Sequence, residues 1–377
     1  MSNSSASLFV TGDLVPLHET IDKLAAGKCG ELFENALLEV IRTSDLAITN
    51  LECAVTDGGE PIRKCGPNLK CPPAVMPGLV DAGFRLFALA NNHSRDFGDE
   101  AFLETMENVK KAGGEYVGGG KDMEEACKPY RTVVNGLKIT VFNSSMHNWC
   151  SATLDNAGAA PLRPAFLAAQ IANEKKSADF ILVIIHDGKE HVPFPSARIR
   201  DNYRSFIDAG ANAVIGHHPH ISQGYEVYNK GFIAYSLGNF LFPPRVKNSA
   251  PSFWYKSYSV KLNISANKVE SFEIVPHFYD EESATLRMME GAMKEEFMER
   301  LCKLNQILKD DRLCDKCYTI EARKYMPTYE RNMPVNPFYY YCVMGTEEHV
   351  DVLQYVGRER AVEGNTQVPM DLEQFMK

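Results

Sequence analysis

ANAVIGHHPH, residues 211–220, sets a short apolar run directly against three imidazoles. The run at 213–215 has the character of a buried strand, and Gly216 ends it just before His217 and His218. His218 and His220 are two apart, so in an extended segment their side chains point the same way. Working outward, the same syntax recurs at SLFVTGD (7–13), LAITNLE (46–52), FRLFALANNH (84–93) and FILVIIH (180–186). Each apolar run delivers ligand-type residues at its carboxyl end. In α/β sheets that edge gathers functional groups, because loops converge there while the strands stay rigid. Helix-like segments at 99–112 and 165–176 lie between the runs, another helical stretch closes at 37–42, and Gly-rich turns stand at 113–114 and 118–120. The pattern predicts an α/β fold with one site at a sheet edge.

After residue 242 the pattern changes. Alternation at 258–264 and 268–275, joined by Ser-Ala-Asn, predicts a β-hairpin. From Thr285 the chain reads as helical to about residue 309, and the tail beyond carries Pro327, Pro334, Pro337 and the run Tyr339-Tyr340-Tyr341. The expected division is a core over 1–284 and a helical or irregular extension over 285–377 packed on it. That extension has room to cover the site or to build a homo-oligomer contact.

Hydrophobic residues at 45% and charged residues at 24% of the 377 describe a globular chain. A formal charge of −9 disfavours nucleic acid as a partner, since phosphate backbones need clustered Lys and Arg. No run of about 18 apolar residues occurs, so no membrane span is expected. The first residues lack the basic and apolar regions of a leader, which makes cytoplasmic the expected location. The ten scattered cysteines read as reduced core thiols. Cys314 and Cys317 have C-x-x-C spacing, but no second pair lies near and no strand precedes them, so a structural reading stands ahead of a metal or redox one.

The chemistry-bearing candidates are Asp13, Glu52, Asn92, His93, His186, His218 and His220. Carboxylates with imidazoles suit Zn, Mn or Fe, and no thiolate stands at these strand ends to suggest a Cys-type structural zinc. A two-metal hydrolase needs such a set around two ions about 3.5–4 Å apart, with one carboxylate bridging them. Singly, each motif has a plainer reading: His218-Pro219-His220 as a surface loop, Asn91-Asn92 as a helix cap, Asp13 as a turn residue. Together and in this order they argue for a site.

The motifs VTGD (10–13), NLE (50–52), LANNHSRDFG (89–98), GHHPH (216–220) and YSLGNFLF (235–242) resemble the signature of the CapA, or PGA_cap, capsule-synthesis family. AGF (82–84) and NGLKITVF (135–142) add weaker matches, and the likeness runs from about residue 7 to about 278. That family is similar to calcineurin-like metallophosphoesterases. The resemblance implies a four-layer αββα sandwich, two facing sheets flanked by helices, with a dinuclear site of two divalent ions (Mn, Zn or Fe) at one edge. By the same resemblance Asp13 holds the first metal, Glu52 bridges, Asn92 and His186 serve the second, and His218 and His220 complete the site. His93 stands off the metals to protonate a leaving group or steady transition-state charge, oriented by Asp96.

Two departures qualify the likeness. The superfamily's Asp-x-His is here Asp13-Leu14-Val15, which removes an imidazole that His217 or water would have to replace. The family's His-Trp-Gly-x-Glu is here His186-Asp187-Gly188-Lys189-Glu190, leaving Glu190 either beside the ligands or on a solvated loop. Arg63, Lys64 and Lys70 offer cations that could clamp a phosphate or carboxylate, with an exposed basic loop as the plainer reading. Asn239, with Glu190, joins the substrate-side candidates, and Ser236 and Asn239 fit a turn beside the site.

The resemblance implies a hydrolase acting on a phosphoester, or on an amide bond of a poly-γ-glutamate-related substrate. The substrate is then a small molecule or polymer carrying phosphate or carboxylate. The alternative is a non-catalytic accessory subunit of polymer synthesis, although members of that kind generally carry a membrane anchor, which is not read here.

Overall fold

Side-chain alternation sorts the first sheet into two cores. In the computed structural model, which describes residues 4–361, the strands Ser5–Leu14, Leu46–Leu51, Phe84–Ala88 and Glu115–Val117 lie side by side and parallel. Leu8, Val10, Ile48, Leu86 and Ala88 belong to the core shared with the second sheet, while Phe9, Ala47 and Phe87 belong to a core on the outer face. The helices Asn35–Thr43, Val75–Ala82 and Gly98–Lys111 cover that outer face with Leu37, Ile41, Leu79, Phe102 and Val109. On the other side of Ser5–Leu14, Asn239–Leu241 pairs parallel and the hairpin Lys256–Ser265/Lys268–Asp280 pairs antiparallel.

The second sheet runs Tyr225–Tyr228, Gly231–Ala234, Ala213–His217, Phe180–His186, Leu137–Ser145, Tyr130–Val134, with the inner four parallel. Phe180–His186 is buried along its whole length, which explains why it reads as one continuous apolar run instead of alternating. Helices Pro164–Glu174 and Ala197–Ala209 close the far face through Leu167, Ile171, Ile199, Tyr203 and Phe206. The result is the expected α/β arrangement: helices, sheet, sheet, helices. Each fully buried aliphatic or aromatic side chain between the layers contributes about 1.5–3 kcal/mol.

The expected hairpin and the helices between the strands are present; most ends are displaced by a residue or two, and the second hairpin strand runs five residues further, to Asp280. The stretch after 284 differs. Thr285–Met288 is a strand that pairs antiparallel with His277–Asp280, and the helix begins only at Gly291 and runs to Ile307. The turn at Ala284, with φ 49°, folds these residues back onto the sheet edge. The tail is helical throughout its described length: Asp311–Arg323, Met326–Asn332, Pro337–Gly345 and Glu347–Ala361. Pro327 and Pro337 stand in first turns, where a missing N–H costs nothing, so the prolines start helices here. Of the expected extension, 362–377 lies outside the described residues. Among the described residues no helix is long and apolar enough to cross a membrane. All ten cysteines are free, and Cys314 and Cys317 are core residues of one helix.

Candidate metal centre

Five strand ends meet at the edge shared by the two sheets. Asp13 is near the end of Ser5–Leu14, Glu52 follows Leu46–Leu51, and Asn92 lies in the turn after Phe84–Ala88. His186 ends its strand, and His218 and His220 follow Ala213–His217. All six are buried. His186 Nε2 is 2.8 Å from Asn92 Oδ1, 3.1 Å from His218 Nδ1 and 3.3 Å from Glu52 Oε1. On the other side, His220 Nδ1 is 3.3 Å from Asp13 Oδ2, and His220 Nε2 is 3.7 Å from Glu52 Oε1. Three groups bring ligand atoms close enough to share an ion: Asp13–Glu52–His220, Glu52–His186–His218 and Glu190–His218–His220. Glu52 belongs to the first two.

The His218-Pro219-His220 turn is not the extended segment expected from its spacing. His218 has φ 97° and His220 φ 58°, left-handed backbone that side-chain-bearing residues adopt at a cost of about 1–3 kcal/mol each. The two rings still converge, with centroids 5.9 Å apart. The turn is held by His191, whose N–H donates to Pro219 O at 2.9 Å, and beside it the segment at 235–238 crosses between the two ligand-bearing strands. Gly238 O accepts from the Asp13 N–H (3.0 Å), and the Leu237 N–H donates to Gly216 O (3.2 Å). A Cβ on Gly12 would stand 1.9 Å from Gly238 O, and one on Gly216 1.9 Å from Tyr235 O. The glycines in VTGD and GHHPH therefore let the backbones touch.

Electrostatics mark the same point. Burial and the neighbouring Asp13 lift the Glu52 carboxyl well above its usual range. Burial opposes a charge on His220, but Glu52 and Asp13 outweigh it and carry the imidazole up to about 9. Burial likewise works against the Asp13 carboxylate, yet His220 and His217 hold it below its ordinary value. Burial, then His218, push His186 well down. Glu52 Oε1 and His218 Nε2 are buried without a hydrogen-bond partner. The orphaned Glu52 Oε1, in a set of two carboxylates, one amide oxygen and three imidazoles, fits divalent transition ions.

Around these groups the remaining candidates divide. His93 Nδ1 is 2.7 Å from Asp96 Oδ2. Lys64, expected as a substrate clamp, has its side chain buried, its ammonium paired with Asp96 and 3.0 Å from His93 Nδ1. Burial first, then Lys64, push His93 down to about 4 against the pull of Asp96. Asn239 is also engaged: Oδ1 is 3.0 Å from His220 Nδ1 and Nδ2 donates to Trp254 O. Arg63 is exposed, its guanidinium 4.3 Å above the Phe338 ring. Glu190 is half-buried beside His218 and His220; burial lifts its carboxyl, but Lys189 outweighs this and holds it at about 2. His217 is in none of the three groups; its Nε2–H donates to Thr11 O at 2.9 Å, and its Nδ1 is buried without a hydrogen-bond partner.

Residues 7–244, more than half of the chain, match the family described as "Bacterial capsule synthesis protein PGA_cap". The chain belongs to that family. The match to PGA_cap ends well before residue 278, where the motifs had placed the limit of the likeness. Among relatives, "Capsule biosynthesis protein CapA" of Bacillus anthracis is 32% identical over 248 residues, 63% of this chain and 58% of that one. "PGA biosynthesis protein CapA" of Bacillus subtilis (strain 168) is 33% identical over 204 residues, 52% of each chain. A "Probable polyglutamine synthesis accessory protein" of Mycobacterium tuberculosis is 28% identical over 218 residues, 54% of this chain and 57% of that one. The chain thus spans a little over half the length of the curated relatives it matches. The solved 5'-nucleotidase precursor of Thermus thermophilus superposes with TM-score 0.42 at 13% identity, over 86% of this chain and 59% of that one.

Two polar residues at the centre carry no role in the motif reading. Asn50 Nδ2 donates to Asp13 Oδ1 at 2.8 Å and lies 3.3 Å from His186 Nδ1, so one amide ties ligand-type side chains of both sheets. Its place in the PGA_cap motif NLE was the available signal. Glu348, near the start of the last described helix, is the other, and no sequence signal marked it.

Proposed function

We propose that the protein is a metal-dependent hydrolase with a dinuclear centre, acting on a phosphoester or an amide bond of a poly-γ-glutamate-related substrate. The observation that carries this is Glu52 Oε1, buried and unpartnered between Asp13/His220 on one side and His186/His218 on the other. In this reading Asp13, Glu52 and His220 hold one ion, and Glu52, Asn92, His186 and His218 hold the other. Bound there, divalent ions supply Lewis-acid polarisation and a lowered pKa for water. The chain's own part is orientation. Asp96 accepts the Nδ1 proton of His93 and leaves Nε2 as the working nitrogen, and Lys64 fixes Asp96. Asn239 holds the His220 ring, and Asn50 holds Asp13. Arg63 remains the substrate-side cation in this proposal, for a phosphate or a carboxylate.

The test is elemental analysis of protein purified without chelator, beside His220→Ala and His93→Ala. We expect close to two transition-metal ions per chain, a loss in His220→Ala, and full loading in His93→Ala with turnover lowered by about 10²–10⁴-fold. Turnover is followed on an aryl phosphate and by the chain length of poly-γ-glutamate. No ion bound after dialysis against Mn or Zn would sink the reading. The accessory role that the mycobacterial relative's name carries would then take its place.

A further inference from the structure

The helices after Gly291 lie beyond the part of the chain that matches the family, yet they return to its site. Glu348 is buried, with Oε2 2.9 Å from Lys189 Nζ and 3.5 Å from His218 Nε2. The approach is anchored on both sides of that carboxylate. Tyr325 OH donates to Glu190 O at 2.6 Å, and Lys189 Nζ lies 4.7 Å over the Tyr325 ring. Arg198 pairs with Asp187 at 2.7 Å and with Asp351 at 3.0 Å, while Ser196 Oγ donates to Asp351 at 2.8 Å. A buried carboxylate is retained only where partners meet it, and Lys189 supplies one partner. His349 Nε2 lies 3.5 Å from the other oxygen, Oε1, which leaves the approach of Oε2 to His218 to be accounted for.

His218 has two faces. Nδ1 faces the centre, 3.1 Å from His186 Nε2, and Nε2 faces Glu348, buried and without a hydrogen bond. An imidazole ligand needs its outer N–H held by an acceptor, which fixes the tautomer and the ring orientation. Contacts of this kind are often long without the bound group and tighten when it arrives. We propose that Glu348 is a positioning residue for His218: its carboxylate accepts the Nε2 proton and so presents Nδ1 to the metal. The C-terminal helices then form part of the centre, although they lie outside the family match. This rests on the dinuclear reading above.

The experiment measures Mn²⁺ affinity of the full chain for wild type, Glu348→Gln, Glu348→Ala, Lys189→Met and the double variant Lys189→Met/Glu348→Leu. Selectively ¹⁵N-labelled histidine reports the His218 tautomer in the same proteins before metal is added. We expect Nε2 protonation in wild type, its loss in Glu348→Ala, and affinity reduced by about 10–100-fold there. Glu348→Gln keeps an acceptor and should restore most of the affinity. The double variant removes the stranded lysine as well as the carboxylate. Recovered affinity in it would mean that Glu348 only neutralises Lys189, and would overturn the proposal; affinity that stays low supports it. Equal affinity in all variants, with wild type loaded, overturns this inference alone. Wild type binding no ion overturns it together with the dinuclear reading.

Discussion

His277 is buried in the hairpin with Nε2 3.0 Å from Ser259 Oγ and its ring edge-on to Phe240. Burial pushes its imidazole down to about 3, so the folded chain refuses a proton that the unfolded chain takes up near 6.5. Above about pH 6.5 neither state is protonated and the residue is silent. Below it the unfolded state binds more protons, and stability falls by about 1.4 kcal/mol per pH unit until about pH 3. Urea unfolding at pH 7 and pH 5 checks this: His277→Gln should remove about 2 kcal/mol of the acid-induced loss. An unchanged pH slope in the variant would count against it. At this scale the sequence was readable where a ligand-type residue followed an apolar run, which is how Asp13, Glu52, Asn92, His186, His218 and His220 came to be grouped. It was unreadable where a role depends on a partner far along the chain. Lys64 looked like a loop cation, and only the fold brings it onto Asp96, where it is buried. Asn239 looked substrate-facing until the fold set its amide against His220.

Among the elements, the crossing segment at 235–238 does the joining. It bonds to Asp13 on one strand and Gly216 on the other, and the close approaches at Gly12 and Gly216 make this possible. Gly12→Ala or Gly216→Ala drives a methyl group onto a backbone carbonyl that cannot swing aside. Each should destabilise the chain by about 1–3 kcal/mol or more, read as a lower urea midpoint at unchanged slope. Either variant being as stable as wild type would refute the close-packing explanation. The alternation of strands and helices along the chain was legible because buried parallel strands and helices differ in period and length; the order of strands in each sheet came only with the fold. The left-handed turn at His218 and His220 was not legible, since spacing alone cannot report φ and positive φ is uncommon for any residue but glycine. The strand at Thr285–Met288 was lost for a similar reason: four residues are too few to show a period.

For the molecule as a whole, the C-terminal helices are the part least legible in advance. Their prolines suggested interruption, and their contact with the centre runs through side chains, such as Glu348 and Asp351, that look like ordinary helix charges. Arg198 is one bolt, pairing with Asp187 from the core and Asp351 from the last described helix. Arg198→Ala leaves two buried carboxylates without a counter-ion, a loss of about 3–5 kcal/mol. Hydrogen exchange should then quicken in the helix Glu347–Ala361 first. Protection unchanged there would place the attachment elsewhere. The cluster draws its six ligand-type side chains equally from the two sheets, and it buries carboxylates, imidazoles and the orphaned Glu52 Oε1 together. Folding therefore assembles a pocket of frustration in the middle of its own buried core. A chain shaped for rigidity alone would fill that place with leucines, so the polar cluster costs this chain durability that an apolar filling would give.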